Sequence, residues 1–214
     1  MTSDLLRTER TAHHRNPGRG SHDRAALEAI ADEALVAHVG ILQAEQVFVL
    51  PMVFVRVEGT LYLHGARASR LLEEVARGAP VGITITLVDG LVLAKSAFHQ
   101  SMNYRSAMIL GKGSEVSDPA LKARVFAALV DKISPGRSAV ARPANAKELA
   151  ATFVVAVPID EASVKMREGG PLDDEEDLAL ACWAGHVPLR VVAGAPIASH
   201  AGTGEVPLMP PALT

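Results

Sequence analysis

The chain has 214 residues, 49% of them hydrophobic and 21% charged, with a formal net charge of −3. This is an ordinary globular composition, at a length that can build one main domain around its own core. The absence of a basic excess argues against a nucleic-acid partner, and no run of about 18 apolar residues marks a membrane span. Cys182 is the only cysteine, so no internal disulfide can form, and a reducing cytoplasm is the expected compartment.

Residues 1–22 are polar and rich in Arg and His, and read as an arm that wraps a neighbour. His13 and His14 are adjacent and have no Cys or carboxylate at ligand spacing, so no metal site is expected there. Asp23 reads as the N-cap of a helix carrying Leu27, Ile30, Ala31 and Ala34 and ending near Leu35. The period then changes. Residues 36–43, 47–57 and 60–64 are rich in β-branched residues and are separated by short turns, which predicts a three-strand meander. Pro51 falls inside the second strand and cannot donate to a ladder. That point is expected to be an edge, a bulge or a ligand approach.

Ser69 reads as the N-cap of a short helix that ends at Gly78-Ala79-Pro80. Residues 81–87 with 91–94 predict a fourth strand, and 106–116 a fifth. Asp118-Pro119 opens a longer helix with the stripe Leu121, Val125, Leu129 and Ile133. Asn145–Ala150 reads as one helical turn, and 152–159 and 187–193 as further strands. The acidic run Asp173–Asp177 reads as a solvated loop, and the Gly-, Pro- and Ala-rich residues 195–214 as a mobile tail. The domain proper is therefore expected over 23–194. Consecutive strands without a βαβ rhythm predict a mainly β (α+β) fold, an antiparallel barrel with flanking helices.

Several segments carry polar groups in patterns that suit a ligand. His64-Gly65-Ala66-Arg67-Ala68-Ser69-Arg70 lies between a strand end and a helix start, where backbone N–H groups and guanidinium donors suit an anion. An ordinary strand-helix turn with solvated arginines fits the same residues equally well. Thr84 and Thr86 share one face of a strand, opposite Ile83, Ile85 and Leu87. Residues 96–106 read as a polar loop, with His99, Tyr104, Arg105 and Ser106 among its functional groups. No Walker, Rossmann or GxSxG pattern occurs, and Cys182 reads as a small core residue rather than a nucleophile. Trp183, the only Trp, serves either as core or as a cover for an aromatic ligand.

Taken together, these blocks resemble the pyridoxamine 5′-phosphate oxidase-related, flavin-nucleotide-binding family, which includes the nitroimidazole-resistance proteins. The matching segments are LVAHVGILQAEQVFVLPMVFV, TLYLHGARASRLLEEV, LVDGLVLAKSAFHQSMNYRSAMILGKG, NAKELAAT and CWAGHVPLR, in that order between about residue 20 and residue 193. The resemblance implies an FMN-binding split β-barrel, an antiparallel Greek-key barrel. It also implies a homodimer with cofactor sites at the interface and a small-molecule substrate. By similarity, Ser69 and Arg70 would hold the FMN phosphate, with His64 and Gly65 lining the same pocket. Leu50, Pro51 and Met52 would run along the flavin ring, Thr84 and Thr86 under the ribityl chain. Tyr104, Arg105 and Ser106 would also contact the flavin, and Trp183 and Arg190 would reach a site from the other subunit. The sequence departs from the family at Ala66-Arg67, where a small or polar residue followed by proline is expected. The C-terminal substrate residues of the pyridoxamine 5′-phosphate oxidases proper have no counterpart either, so vitamin B6 oxidation is not implied.

The leading expectation is an FMN-dependent oxidoreductase, with His64 and His99 as candidate proton donors. A haem carrier or degrader of split-barrel fold is the alternative, with His186 and His200 as C-terminal ligand candidates. A non-catalytic flavin-binding protein uses the same residues, and a deazaflavin ranks behind FMN.

Overall fold

The computed structural model describes residues 4–199 and 205–213. Its ten strands are β1 (Gly20–Ser21), β2 (Val36–Gln43), β3 (Gln46–Val57), β4 (Thr60–Ala66), β5 (Pro80–Leu93), β6 (Ser101–Lys112), β7 (Ser114–Glu115), β8 (Thr152–Pro158), β9 (Glu161–Arg167) and β10 (Gly185–Pro188). The helices are α1 (Arg24–Glu33), α2 (Arg70–Ala76), α3 (Pro119–Ile133) and α4 (Ala146–Ala151). All strand pairs are antiparallel, in the order β1-β9-β6-β5-β2-β3-β4-β8-β7, with β10 added to β5. The order does not close on itself, so the barrel is split.

Each helix starts where a side chain satisfies its free N–H groups. Asp23 accepts from Ala25 and Ala26, Ser69 from Leu72, Asp118 from Ala120 and Leu121, and Asn145 from Glu148. Alternation in β2 and β5 sends Ala37, Val39, Ile41, Ile83 and Ile85 inward, where they pack with Leu27 and Ile30 of α1 and Leu72 and Val75 of α2. A smaller cluster lies on the other face of β4 and β8. There Tyr62 and Val154 meet Val125 and Leu129 of α3.

The structure corrects several sequence expectations. The fourth predicted strand and its extension form one strand, Pro80–Leu93, carried through the residues between them past a bulge between Val88 and Gly90. Residues 101–106, expected in a loop, are the first half of β6. Their polar side chains have buried or paired partners, which is why polarity misleads there. β9 has no counterpart among the predicted strands. Lys165 and Arg167 break its apolar pattern, yet Ala162 and Val164 alternate into the core. The predicted strand at 187–193 ends at Pro188.

The arm docks on its own barrel. Leu5 is buried, Leu6 bridges Glu161, and Arg10 pairs with the Glu161 carboxylate. The described part of the tail docks too. Ser134 Oγ donates to the Leu208 carbonyl at 2.8 Å, and the Ala193 N–H to that of Leu213 at 2.9 Å.

Candidate functional site

Most of the predicted site residues fall in two neighbouring regions of the sheet that share Pro51. The first group surrounds the split. β3 changes partner part-way along. Gln46 to Val53 pair with β2, and only Phe54 to Val57 pair with β4. β4 runs on through His64, Gly65 and Ala66, which pair with β8. Beyond the Phe54–Leu63 pair the two strands therefore part, and the facing backbone edges have no ladder partner. Unpaired N–H and C=O groups along such an edge need a ligand, a chain or water. Pro51 stands on this one-sided stretch, as a residue without an N–H requires.

The turn after β4 delivers Ser69 and Arg70 to the end of this slot. Ser69 Oγ accepts the Leu72 N–H at 3.4 Å and keeps its own proton free to donate. Arg70 is exposed, with no ion pair among the described residues. Arg67 turns away instead, pairing with Glu115 at 2.7 Å and covering the Phe153 ring. A Cβ at Gly65 would lie 2.9 Å from Leu72 Cδ1, so the buried Leu72 side chain would have to shift to admit one. The His64 ring meets Phe126 edge-on, and its buried Nδ1 has no partner. Burial pushes the imidazole pKa down, so His64 is neutral at pH 7. The parting thus leaves residues 50–52 on one of its edges and His64, Gly65, Ser69 and Arg70 at the end of the other.

The second group lies on the outer face of β2, β5 and β6. Pro51, His38, Thr84 and Met108 form one cross-strand row. Thr84 is exposed while Ile83 and Ile85 are fully buried, as the alternation predicts. Next to this row opens a cleft of about 840 Å³, lined by Val36, His38, Thr86, Val88, Arg105 and Arg190 among others. Its remaining wall is the chain after β10 and the C-terminal residues Pro211–Leu213.

Arg105, expected to contact the flavin, is engaged by two carboxylates. It donates to Asp89 at 2.7 and 3.0 Å and to Glu33 at 2.5 and 2.8 Å. These bonds raise its pKa further, so it stays charged at any accessible pH. The result ties the end of α1 to the bulge of β5 and floors the cleft. Ser106 Oγ donates to the Lys165 carbonyl. Tyr104 is half-buried between Val88 and Arg167. Buried Arg167 donates to the Asn103 amide oxygen and to the Gly169 and Gly170 carbonyls.

The other candidates lie apart from both groups. His99 Nε2 sits 3.1 Å from Asp174. Trp183 is exposed, against Gly185. Cys182 is exposed rather than core. His186 lies exposed on β10, and His200 lies outside the described residues.

Sequence reasoning missed His38, Glu33 and Asp89. His38 was legible as the one polar side chain on the face of β2 opposite Ala37, Val39 and Ile41. Glu33 and Asp89 carried no local signal, because only the fold brings them to Arg105.

The profile of the family described as pyridoxamine 5′-phosphate oxidase matches residues 23–166. The flavocytochrome Anf3 from Azotobacter vinelandii is 38% identical, over 96% of this chain and 95% of that one, with a TM-score of 0.86. An FAD and heme binding protein from Mycobacterium smegmatis is 37% identical, over 91% and 95%, with a TM-score of 0.82. A candidate 5-nitroimidazole antibiotic resistance protein from Bacteroides thetaiotaomicron is 26% identical, over 68% and 85%, with a TM-score of 0.58. No curated protein matches.

Proposed function

The chain belongs to the pyridoxamine 5′-phosphate oxidase family, and from that membership we propose that it is a flavin-dependent redox protein acting on a small molecule. The observation that carries this reading is the split, where an unpaired β3 edge faces the end of β4 and Arg70 has no ion pair among the described residues. The flavin supplies the electron transfer when bound, and the chain supplies binding and orientation. Arg70 and the Ser69 hydroxyl would hold the phosphate. α2 spans only Arg70–Ala76, so the guanidinium carries more of this task than the helix dipole. The backbone groups of this stretch that point away from β2, among them the Pro51 carbonyl, would hydrogen-bond the polar edge of the ring. Burial disfavours the charged form of His64, which suits a neutral hydrogen-bonding role for its unpartnered Nδ1.

The resemblance to the family suggested FMN. The Mycobacterium relative named for FAD favours the full dinucleotide, of which this site would hold the flavin mononucleotide half.

Val47, Phe48, Val49, Leu50 and Val53 of β3 are all exposed apolar residues, which supports a homodimer that covers them. No helix among the described residues is long and apolar enough to cross a membrane.

Flavin titration of the Arg70→Ala variant tests the reading. Loss of one charge-assisted contact, about 1.5–3 kcal/mol, predicts roughly 10- to 150-fold weaker binding with the fold intact. Unchanged affinity would remove the phosphate assignment.

A further inference from the structure

The N-terminal arm is held on the barrel by packing that a positive charge would oppose. It runs along the outer edge of β9, where Gly20 and Ser21 pair with Lys165 and Val164 and the Leu6 N–H donates to the Asp160 carbonyl at 2.8 Å. Leu5 and Thr11 are its buried anchors. Beside β1 lie two imidazoles, His13 and His22, with ring centroids 5.6 Å apart. His22 Nε2 donates to the Thr11 carbonyl at 3.2 Å. The His13 ring fills the space next to Gly20, where a Cβ would fall 2.1 Å from the ring Cδ2. Its Nε2 is buried and has no hydrogen-bond partner. A proton added there would put a charged N–H where no acceptor meets it, which is costly.

The charges around His13 have one sign. Burial, then His22, Lys165 of β9 and Arg7 of the arm, all disfavour the protonated ring, and only a hydrogen bond with the Ser21 backbone favours it. The acids on the packed segments are engaged or lie in solvent. Glu161 accepts from Thr8 and Arg10, Asp23 caps α1, and Asp4, Glu9 and Asp160 are exposed. His14 and Arg15 are exposed as well. We propose that His13 and His22 form a proton-operated clasp, which holds the arm on β9 near neutral pH and releases it in mild acid. The sign follows from linkage. On a released arm both rings are solvated and take up protons in the ordinary histidine range, near 6.5, whereas docked His13 takes one up only at lower pH. The released arm therefore binds more protons as the pH falls through that range, and docking weakens there. Release uncovers the edge of β9, whose backbone groups can then pair with another chain. The clasp is independent of the proposed flavin site.

The test is amide hydrogen exchange of the purified full-length chain at pH 7.5 and 5.5, read by mass spectrometry and corrected for the intrinsic exchange rate. Wild type is compared with the double variant His13→Asn/His22→Gln, with Lys165→Met and with Gly20→Ala. In wild type, the peptides of the arm should lose roughly fivefold or more in protection on going to pH 5.5, while those of β4 and β5 change less than about twofold. The double variant should show no such loss. Lys165→Met keeps both histidines and removes a facing cation, so its arm should stay roughly threefold better protected than wild type at pH 5.5. Gly20→Ala displaces the His13 ring and should leave the arm poorly protected at both pH values. A wild-type arm with the same protection at both pH values overturns the clasp. So does a wild-type loss that extends equally to β4 and β5, which would be general acid unfolding. An equal loss in the double variant overturns the assignment to the two histidines. A Lys165→Met arm that matches wild type at pH 5.5 overturns the role of the surrounding charge, and a Gly20→Ala arm as protected as wild type overturns the packing of His13.

Discussion

Arg105 is the residue on which family resemblance and geometry make different predictions. The resemblance places it on the flavin. In the fold it holds two carboxylates, Glu33 at the end of α1 and Asp89 at the bulge of β5. The variant to make is Arg105→Met, which keeps the aliphatic stem and removes the charge. It leaves two carboxylates facing each other with no cation between them. The Arg105 side chain is 28% exposed, between the surface and buried limits. Exposed pairs contribute about 0–1 kcal/mol, and breaking a buried pair costs about 3–5 kcal/mol. An intermediate loss of about 2–3 kcal/mol follows, or about 5–10 °C in Tm for a domain of this size. Denaturant unfolding measures the loss, and flavin titration of the folded variant measures affinity. The expected outcome is a lowered midpoint with flavin affinity within twofold of wild type. An unchanged midpoint with affinity down more than tenfold would refute the reasoning and return Arg105 to the flavin.

Lys132 predicts a pH dependence. Its ammonium group lies over the Phe54 ring and donates to the Ala31 carbonyl at 2.6 Å, and burial pushes its pKa down to about 8. Below pH 8 the lysine is protonated in both folded and unfolded chains, and its burial cost is fully felt. Between pH 8 and 10.5 the unfolded chain binds a proton that the folded chain does not, so stability rises with pH across that window. With solvent screening of its exposed part, the gain is about 1–2 kcal/mol. Urea midpoints at pH 7.5 and 9.5 check this, and Lys132→Met should flatten the difference. Asn103→Ala removes a partner of buried Arg167 and should cost about 2–3 kcal/mol by the same unfolding assay, with flavin affinity unchanged.

Much of the fold is legible in local pattern. The alternation of VAHVGIL and VGITITL gave strands with the right faces buried. Asp23, Ser69, Asp118 and Asn145 marked helix starts that the caps bear out. β9 was missed because Lys165 and Arg167 point out of the core and hide its period. The first half of β6 was missed because Asn103 and Arg105 have polar partners that lie far away in sequence. The site was legible only in parts. Residues 64–70 and the Thr84–Thr86 face carry their signals within a few positions. The parting of β3 from β4 depends on a change of pairing partner inside one strand, which no local pattern encodes. The cleft depends on residues 188–192 and 211–213 folding back over β2 and β5, and composition had suggested a mobile tail.

The most direct test of the account is an absorbance spectrum of the purified protein, desalted after incubation with excess FAD. Retained flavin bands at about one equivalent per chain are the predicted result. A protein that retains no flavin would contradict the central claim, whatever its fold.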